Sequence, residues 1–373
     1  MSHRPSNLAA ICLGAVTAGS LLTGTAIATV DSERGAVHTP LPAPARGVPW
    51  GAFLGSGPEG VERIAQMQDW LGGTPIQVGH TYLPGNHWSD IEGDPFLLQP
   101  WAEWRRGAAD RLFVLNVPMS DRNEDNVPDE EVARLLDKGA AGEYDDAFRT
   151  LADRLVALGV PDTVIVLGWE MNGTTYTGRC APKPEAWKAY WRRIVGVMRS
   201  IPGQKFRFDF APSRGQDAIG WTECYPGDDV VDIIGMDSYD QPPGHNFDEQ
   251  IDQPFGLQHQ VDFAKEHKKP ISYPEWGLFR NGDNAEYMRR MLEWIEEHPP
   301  AYHTITDYCP HGVWDCHENP ESSKVFREVQ SARPLPEPGS PQQADCLTLD
   351  LGPWIESLFG SRRLCIRFSW REG

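Results

Sequence analysis

The chain has 373 residues, 40% hydrophobic and 23% charged, with 36 Gly and 32 Pro; this composition excludes disordered, collagen-like and coiled-coil chains and describes a loop-rich folded protein. Its 53 Asp and Glu outnumber 34 Lys and Arg, for a formal net charge of -19. A surface that acidic repels polyphosphates and so disfavours nucleic acid and anionic lipid as partners.

In chain order, Arg4 precedes an apolar stretch from Leu8 to Val30, and Ala26-Ile27-Ala28 supplies small residues suited to signal-peptidase cleavage. Residues 1–28 are predicted to be a secretory signal, so the mature chain is expected to be extracellular, free of the membrane and monomeric. Residues 29–46, with His38-Thr-Pro-Leu-Pro-Ala-Pro, read as an extended leader. From residue 47 to 330, short apolar runs alternate with helical stretches. The runs are Val48–Leu54, Pro75–Thr81, Arg111–Val117, Thr163–Trp169, Phe206–Ala211, Val231–Asp237, Lys269–Glu275 and Thr304–Trp314. Helical patterns between them include Gly60–Leu71, Asp145–Leu158, Pro184–Ser200, Phe255–His267 and Asn284–Glu297. Eight such alternations predict an α/β protein, a (β/α)8 TIM barrel in a single catalytic domain. The rival open, doubly wound sheet would carry a glycine-rich phosphate loop, and no GxGxxG or GxxxxGK[ST] occurs. Residues 331–343 form a Pro-rich linker, and residues 344–373 a short disulfide-closed or disordered tail.

Of 7 cysteines only Cys12 lies in the signal. The remaining even set suggests disulfides, with Cys180–Cys224, Cys309–Cys316 and Cys346–Cys365 as the local candidates. No CxxC pair supports zinc. The acidic stretch Asp121–Glu131 lacks the Gly and Glu that a calcium loop needs, so no metal or cofactor is called for.

In a parallel barrel the carboxyl ends of the strands form the active face. Two apolar runs end there in a carboxylate: Val164-Ile-Val-Leu-Gly-Trp-Glu170-Met-Asn-Gly and Lys269-Pro-Ile-Ser-Tyr-Pro-Glu275-Trp-Gly. A buried Glu is costly unless neutralised or hydrogen-bonded, and two flanked by Trp and Gly suggest one shared pocket. Paired carboxylates across a cleft are what glycoside hydrolysis requires, one protonated to release the leaving oxygen and one ionised. Neighbouring Trp rings raise the acid's pKa by excluding water and offer flat faces to sugar rings.

The motifs Trp169-Glu170-Met171-Asn172-Gly173, Tyr190-Trp191-Arg192-Arg193-Ile194-Val195, Tyr225-Pro226-Gly227-Asp228, Val231-Asp232-Ile233-Ile234-Gly235-Met236-Asp237-Ser238-Tyr239 and Pro274-Glu275-Trp276-Gly277 resemble glycoside hydrolase family 26, as does Gly142-Glu-Tyr-Asp-Asp146. This is the β-mannanase-type, retaining family of clan A. The resemblance implies that Glu170 is the acid/base, Glu275 the nucleophile, and Tyr239 a hydrogen-bond partner of the nucleophile. Two positions depart from the family pattern: Trp169 stands where a His is common, and Val166 where an Arg is common.

Asn172, Tyr82, His80 and Trp276 are further candidate sugar contacts, with Trp314 as a platform under the cleavage point and Asn116 as a hydroxyl contact. Trp70, Trp101, Trp104, Trp187, Trp191 and Trp294 fall at helical spacing and read as packing. The expected function is a secreted retaining endo-β-glycosidase acting on a polysaccharide or oligosaccharide, β-1,4-mannan or a related β-glycan. A non-catalytic polysaccharide-binding barrel and a transglycosylase that remodels envelope or exopolysaccharide are the alternatives.

Overall fold

The computed structural model describes residues 47–244 and 246–331, together with the strand pairs at 346–347 and 364–365. The predicted signal at 1–28, the leader, the linker after residue 331 and the Cys346–Cys365 disulfide lie outside the described residues and side chains. In the C-terminal segment, Cys346–Leu347 pairs antiparallel with Leu364–Cys365.

Nine strands alternate with helices: β1 (Trp50–Phe53), β2 (Val78–Tyr82), β3 (Leu112–Val117), β4 (Val164–Leu167), β5 (Arg207–Phe210), β6 (Ile233–Gly235), β7 (Ser238–Asp240), β8 (Ile271–Leu278) and β9 (His303–Thr306). All pairs in this sheet are parallel, and the order β6-β5-β4-β3-β2-β1-β9-β8-β7 closes because β6 also pairs with β8. β6 and β7 occupy one barrel position, interrupted at Met236 and Asp237, so the fold is an eight-position (β/α)8 barrel. All eight apolar runs became strands. The last stops at Thr306 rather than continuing to Trp314, because Asp307 turns its carboxylate onto the backbone N–H groups of Val313 and Trp314 and folds that segment into a loop.

Helix starts follow local chemistry. Pro58, Pro184 and Pro320 occupy the first turn, where a missing N–H costs nothing, and Asn284 accepts from the Tyr287 N–H at 3.1 Å. Helix Pro184–Arg199 buries Trp187, Tyr190, Trp191, Ile194, Val195 and Met198 along one stripe against the strands. Each such burial contributes about 1.5–3 kcal/mol. Trp101, Trp104 and Trp294 are likewise buried, and Trp70 packs on Phe326.

Alternation along the strands sorts two apolar regions. Val78, Val114, Val164 and Val166 point into the lumen with Trp169, Ala211, Ile233 and Tyr302. Ile165, Leu167, Phe113 and Leu115 face the helices. β8 breaks the alternation. Between Tyr273 and Trp276 it spends three residues where β9, between His303 and Ile305, spends two. This β-bulge sits at Pro274, a residue that cannot serve a regular ladder. Ser272 points inward to Asp209 and Tyr273 outward to Trp294; beyond the bulge Glu275 points inward again and Trp276 outward to His303. Strict alternation from Ser272 would have sent Glu275 into the helix layer.

Candidate active site

Glu275 is 7% exposed. Its Oε2 accepts from the Tyr239 hydroxyl at 2.8 Å and its Oε1 from Asn116 Nδ2 at 3.2 Å. The Tyr239 oxygen also lies 2.7 Å from Thr306 Oγ1. Asn116 is oriented from behind: its Oδ1 lies 2.8 Å from His80 Nε2, which must therefore carry the ring proton, while His80 Nδ1 lies 2.9 Å from Thr304 Oγ1. Burial pulls the His80 pKa down to about 4, so the ring is neutral at physiological pH.

Glu170 follows β4 through Gly168, whose φ of 56 favours glycine, and itself takes a φ of 50. A left-handed glutamate is uncommon, and such strain marks positions held by their surroundings. The Glu170 N–H donates to the Ala211 carbonyl at 2.8 Å, and its Oε1 accepts from Ser213 Oγ at 2.7 Å. Ser213 is fixed in turn by Asn172, which accepts from the Ser213 N–H at 2.9 Å and donates to the Ser213 carbonyl at 3.0 Å.

Burial raises the pKa of both glutamates, and the charge of Glu170 adds to the rise at Glu275. The hydroxyls of Tyr239 and Tyr82 and the Asn116 amide oppose it at Glu275, whereas Ser213 alone does so at Glu170 through a side chain. The two carboxyls thus titrate as a pair, with more side-chain donors favouring charge on Glu275 than on Glu170. Asp237, 2% exposed and with no side chain among the described residues bonded to either oxygen, is raised far above the usual carboxylate range by burial and then by Glu275 and Glu170.

Two lobes of one cleft meet at Glu275. The first, about 290 Å³, is walled by Phe53, Tyr82, Trp169, Tyr176 and Tyr308, with Glu124 at its edge. The second, about 520 Å³, holds Glu170, Ser213, Arg214, Asp217, Tyr239 and Arg280. Glu275, Tyr176 and Tyr308 line both lobes. Trp169 stands edge-on to Tyr82, ring centroids 5.6 Å apart, and its apolar cluster includes Val166 below it in the lumen. The two departures from the family pattern thus fall together in one apolar plug.

Of the residues singled out in the sequence, Glu170, Glu275, Tyr239, Tyr82 and Trp169 line the cleft. Four others do not. His80 is fully buried behind Asn116, and Asn116 itself spends its amide on Glu275 rather than on an open surface. Asn172 is fully buried and clamps the Ser213 loop. Trp276 is fully buried against His303 and Phe326, on the helix side of β8, because its neighbour Glu275 takes the inner side. Trp314 lies under Arg63, past the turn made by Asp307; Tyr308, directly after β9, occupies the cleft instead. Ser213, Asp237, Tyr176, Tyr308 and the two arginines were not singled out. Tyr308 and Ser213 lie two and three residues beyond β9 and β5, a position that can be read once a strand end is placed correctly.

Disulfides Cys180–Cys224 and Cys309–Cys316 both staple loops at this end of the barrel. The first joins the loops that carry Asn172 and Ser213, and the second closes the loop that follows Tyr308. Among the described residues no helix is long and apolar enough to cross a membrane.

Residues 134–267 match glycosyl hydrolase family 26, bearing out the resemblance over that segment. No curated protein sequence matches the chain. The fold is similar to that of the Bacillus subtilis mannanase BCman, at 17% identity and a TM-score of 0.57, with 76% of this chain and 85% of that one covered. It is also similar to a GH26 beta-mannanase from Bacteroides ovatus, at 18% identity and a TM-score of 0.54, with 77% and 89% covered.

Proposed function

We propose that this chain, which carries a family 26 segment, is a secreted, monomeric, retaining endo-β-glycosidase that cleaves β-1,4-mannan or a related β-glycan by double displacement. Mannan as the substrate class rests on the mannanases that share its fold. The observation that carries the mechanism is the unequal dressing of two carboxyls in one cleft: Tyr239 and Asn116 both donate to Glu275, and Ser213 alone donates to Glu170.

Glu275 attacks the anomeric carbon. A C–O bond forms to its carboxylate as the bond to the leaving oxygen breaks, and Glu170 gives that oxygen its proton. Glu170, now ionised, takes a proton from water, whose oxygen displaces Glu275 and restores both groups. Tyr239 and Asn116 hold the attacking carboxylate in place and favour its charged form. Glu170 opens only onto the lobe with the arginines, so the leaving sugar belongs there; the aromatic lobe then takes the sugar whose anomeric carbon meets Glu275. Its rings suit stacking on pyranose faces.

The test is digestion of β-mannan and other β-glycans with product sizing, together with Glu275→Ala in azide. Internal cleavage, and rescue that yields a glycosyl azide of inverted configuration, is the expected result. Glu170→Ala should keep activity on substrates with good leaving groups. Binding without any release, or an active Glu275→Ala, would overturn the reading; products longer than the substrate would favour transglycosylation.

A further inference from the structure

The basic groups that line the cleft all lie in one lobe. The aromatic lobe is bounded by rings, small residues and the carboxylates Glu124 and Glu275, with no Lys, Arg or His among its described lining. The second lobe holds Arg214, Arg280 and His311. In a chain of net charge -19 with most described arginines tied to carboxylates, neither Arg214 nor Arg280 joins an ion pair among the described residues.

The two arginines differ in what they offer. Arg214 is largely buried and spends its fork on three carbonyls, those of Pro243 at 3.1 Å and of Tyr239 and Gln241 at 2.9 Å. Of its five N–H groups three are spent on those carbonyls and a fourth lies against the Gln253 side chain, while Nε–H is buried without a partner, so none faces open space; Asp240 offsets part of its charge. It therefore acts through its field. Arg280 is exposed, lies over the Phe279 ring at 5.0 Å, and keeps its fork free. Asp217 lines the same lobe from the loop after β5, beside Gly173, and faces Glu170. Arg214 thus reaches from the loop after β5 to the carbonyls that follow β7, and Arg280 stands just after β8 in the same lobe.

We infer that the leaving-group lobe is a subsite for a carboxylate-bearing sugar, with Arg280 making the direct bidentate contact and Arg214 supplying a fixed positive field behind it. The inference rests on the hydrolase reading and adds a substrate class to it. A planar guanidinium matches a planar carboxylate through two parallel N–H bonds. A neutral hydroxyl uses neither the fork nor the field. The fitting substrate is a β-glycan in which the residue beyond the scissile bond carries an acid, either a uronic acid ring or an acidic substituent on a neutral ring.

The experiment compares hydrolysis of an acidic β-glycan with that of the same polymer after chemical reduction of its carboxyl groups, using the full chain. Oligosaccharides with a defined uronic acid, and others with a ketal-linked acid, distinguish the two sources. For at least one acidic series, kcat/KM should exceed that of the reduced form by about tenfold or more. The advantage should shrink as salt is raised. Arg280→Ala should bring the ratio close to one and Arg280→Lys should restore it in part. Arg149→Ala, which removes the same charge from helix Asp145–Ala157, should leave the ratio as it is. Equal rates on acidic and reduced polymers by an active enzyme would overturn the anionic subsite while leaving the hydrolase reading intact. Failure to cleave any member of either set would sink the hydrolase reading itself, and the subsite with it.

Discussion

The Tyr239 hydroxyl sits between Thr306 Oγ1, at 2.7 Å, and Glu275 Oε2, at 2.8 Å, so the last strand of the barrel braces the residue that holds the proposed nucleophile. Because Thr306 can donate to the phenol oxygen, the phenol proton is free to point at the carboxylate. The same bond that positions Glu275 also favours its charge.

Tyr239→Phe removes that donor and leaves the ring. The Glu275 pKa should rise, so the acid limb of the kcat/KM profile should move to higher pH, and kcat should fall by about 10–100-fold. An acid limb that stays in place while kcat falls would assign the residue to packing alone.

Ser213→Ala acts on the other glutamate. The serine hydroxyl favours ionised Glu170, so its loss should raise the pKa of the acid and carry the alkaline limb to higher pH, leaving the acid limb where it was. Opposite limbs moved by Tyr239→Phe and Ser213→Ala would separate the two roles. One limb moved by both would argue against the assignment.

Asp209 provides a stability test remote from the reaction. It is fully buried in the lumen, accepts from Ser272 at 2.6 Å and Tyr302 at 2.7 Å, and is raised by burial to about 6. Between the ordinary Asp value near 3.9 and about 6, the folded state binds more protons than the unfolded one, so this group's contribution to stability falls as pH rises through that window. Asp209→Asn keeps an acceptor for both hydroxyls and removes the charge. Denaturant unfolding should show it more stable than the parent at pH 8, by about 1–3 kcal/mol, with the gap closing below about pH 4. A gap that persists at low pH would point to altered packing.

Replacing Cys180 and Cys224 with Ala should cost about 4 kcal/mol on the chain-entropy account of a 44-residue separation, against about 2 kcal/mol for the pair Cys309 and Cys316, 7 residues apart. The larger loss should come with reduced kcat, since the first disulfide joins the loops of Asn172 and Ser213. Denaturant melts with and without reductant, paired with rate measurements, check both parts.

The eight strands could be read from the chain because each is a short apolar run followed by helix chemistry such as Pro184 or Asn284. Glu170 and Glu275 stood out because each is a charge ending an apolar run. The outer site was harder. Alternation alone assigns Trp276 to the same pocket as Glu275 only if side chains fan out at a strand end, and β8 continues to Leu278, keeping Trp276 under the helices. His80 and Asn172 are polar residues at strand ends that serve other protein groups, and a sequence does not distinguish these from groups awaiting a ligand. Ser213 and Tyr308 depend on where a strand stops, which Asp307 decides through contacts made seven residues away.

The irregularity at Pro274 carries a consequence for anyone who would rebuild this enzyme. Ironing out the bulge at unchanged length, so that β8 ran in strict alternation from Ser272, would preserve composition, hydropathy and nearly every motif, yet turn Glu275 into tryptophan-lined packing and present an indole to the cleft. Competence here is counted in parity as much as in chemistry, so a graft that copies the length of β8 without its bulge would conserve the glutamate and lose its place in the cleft.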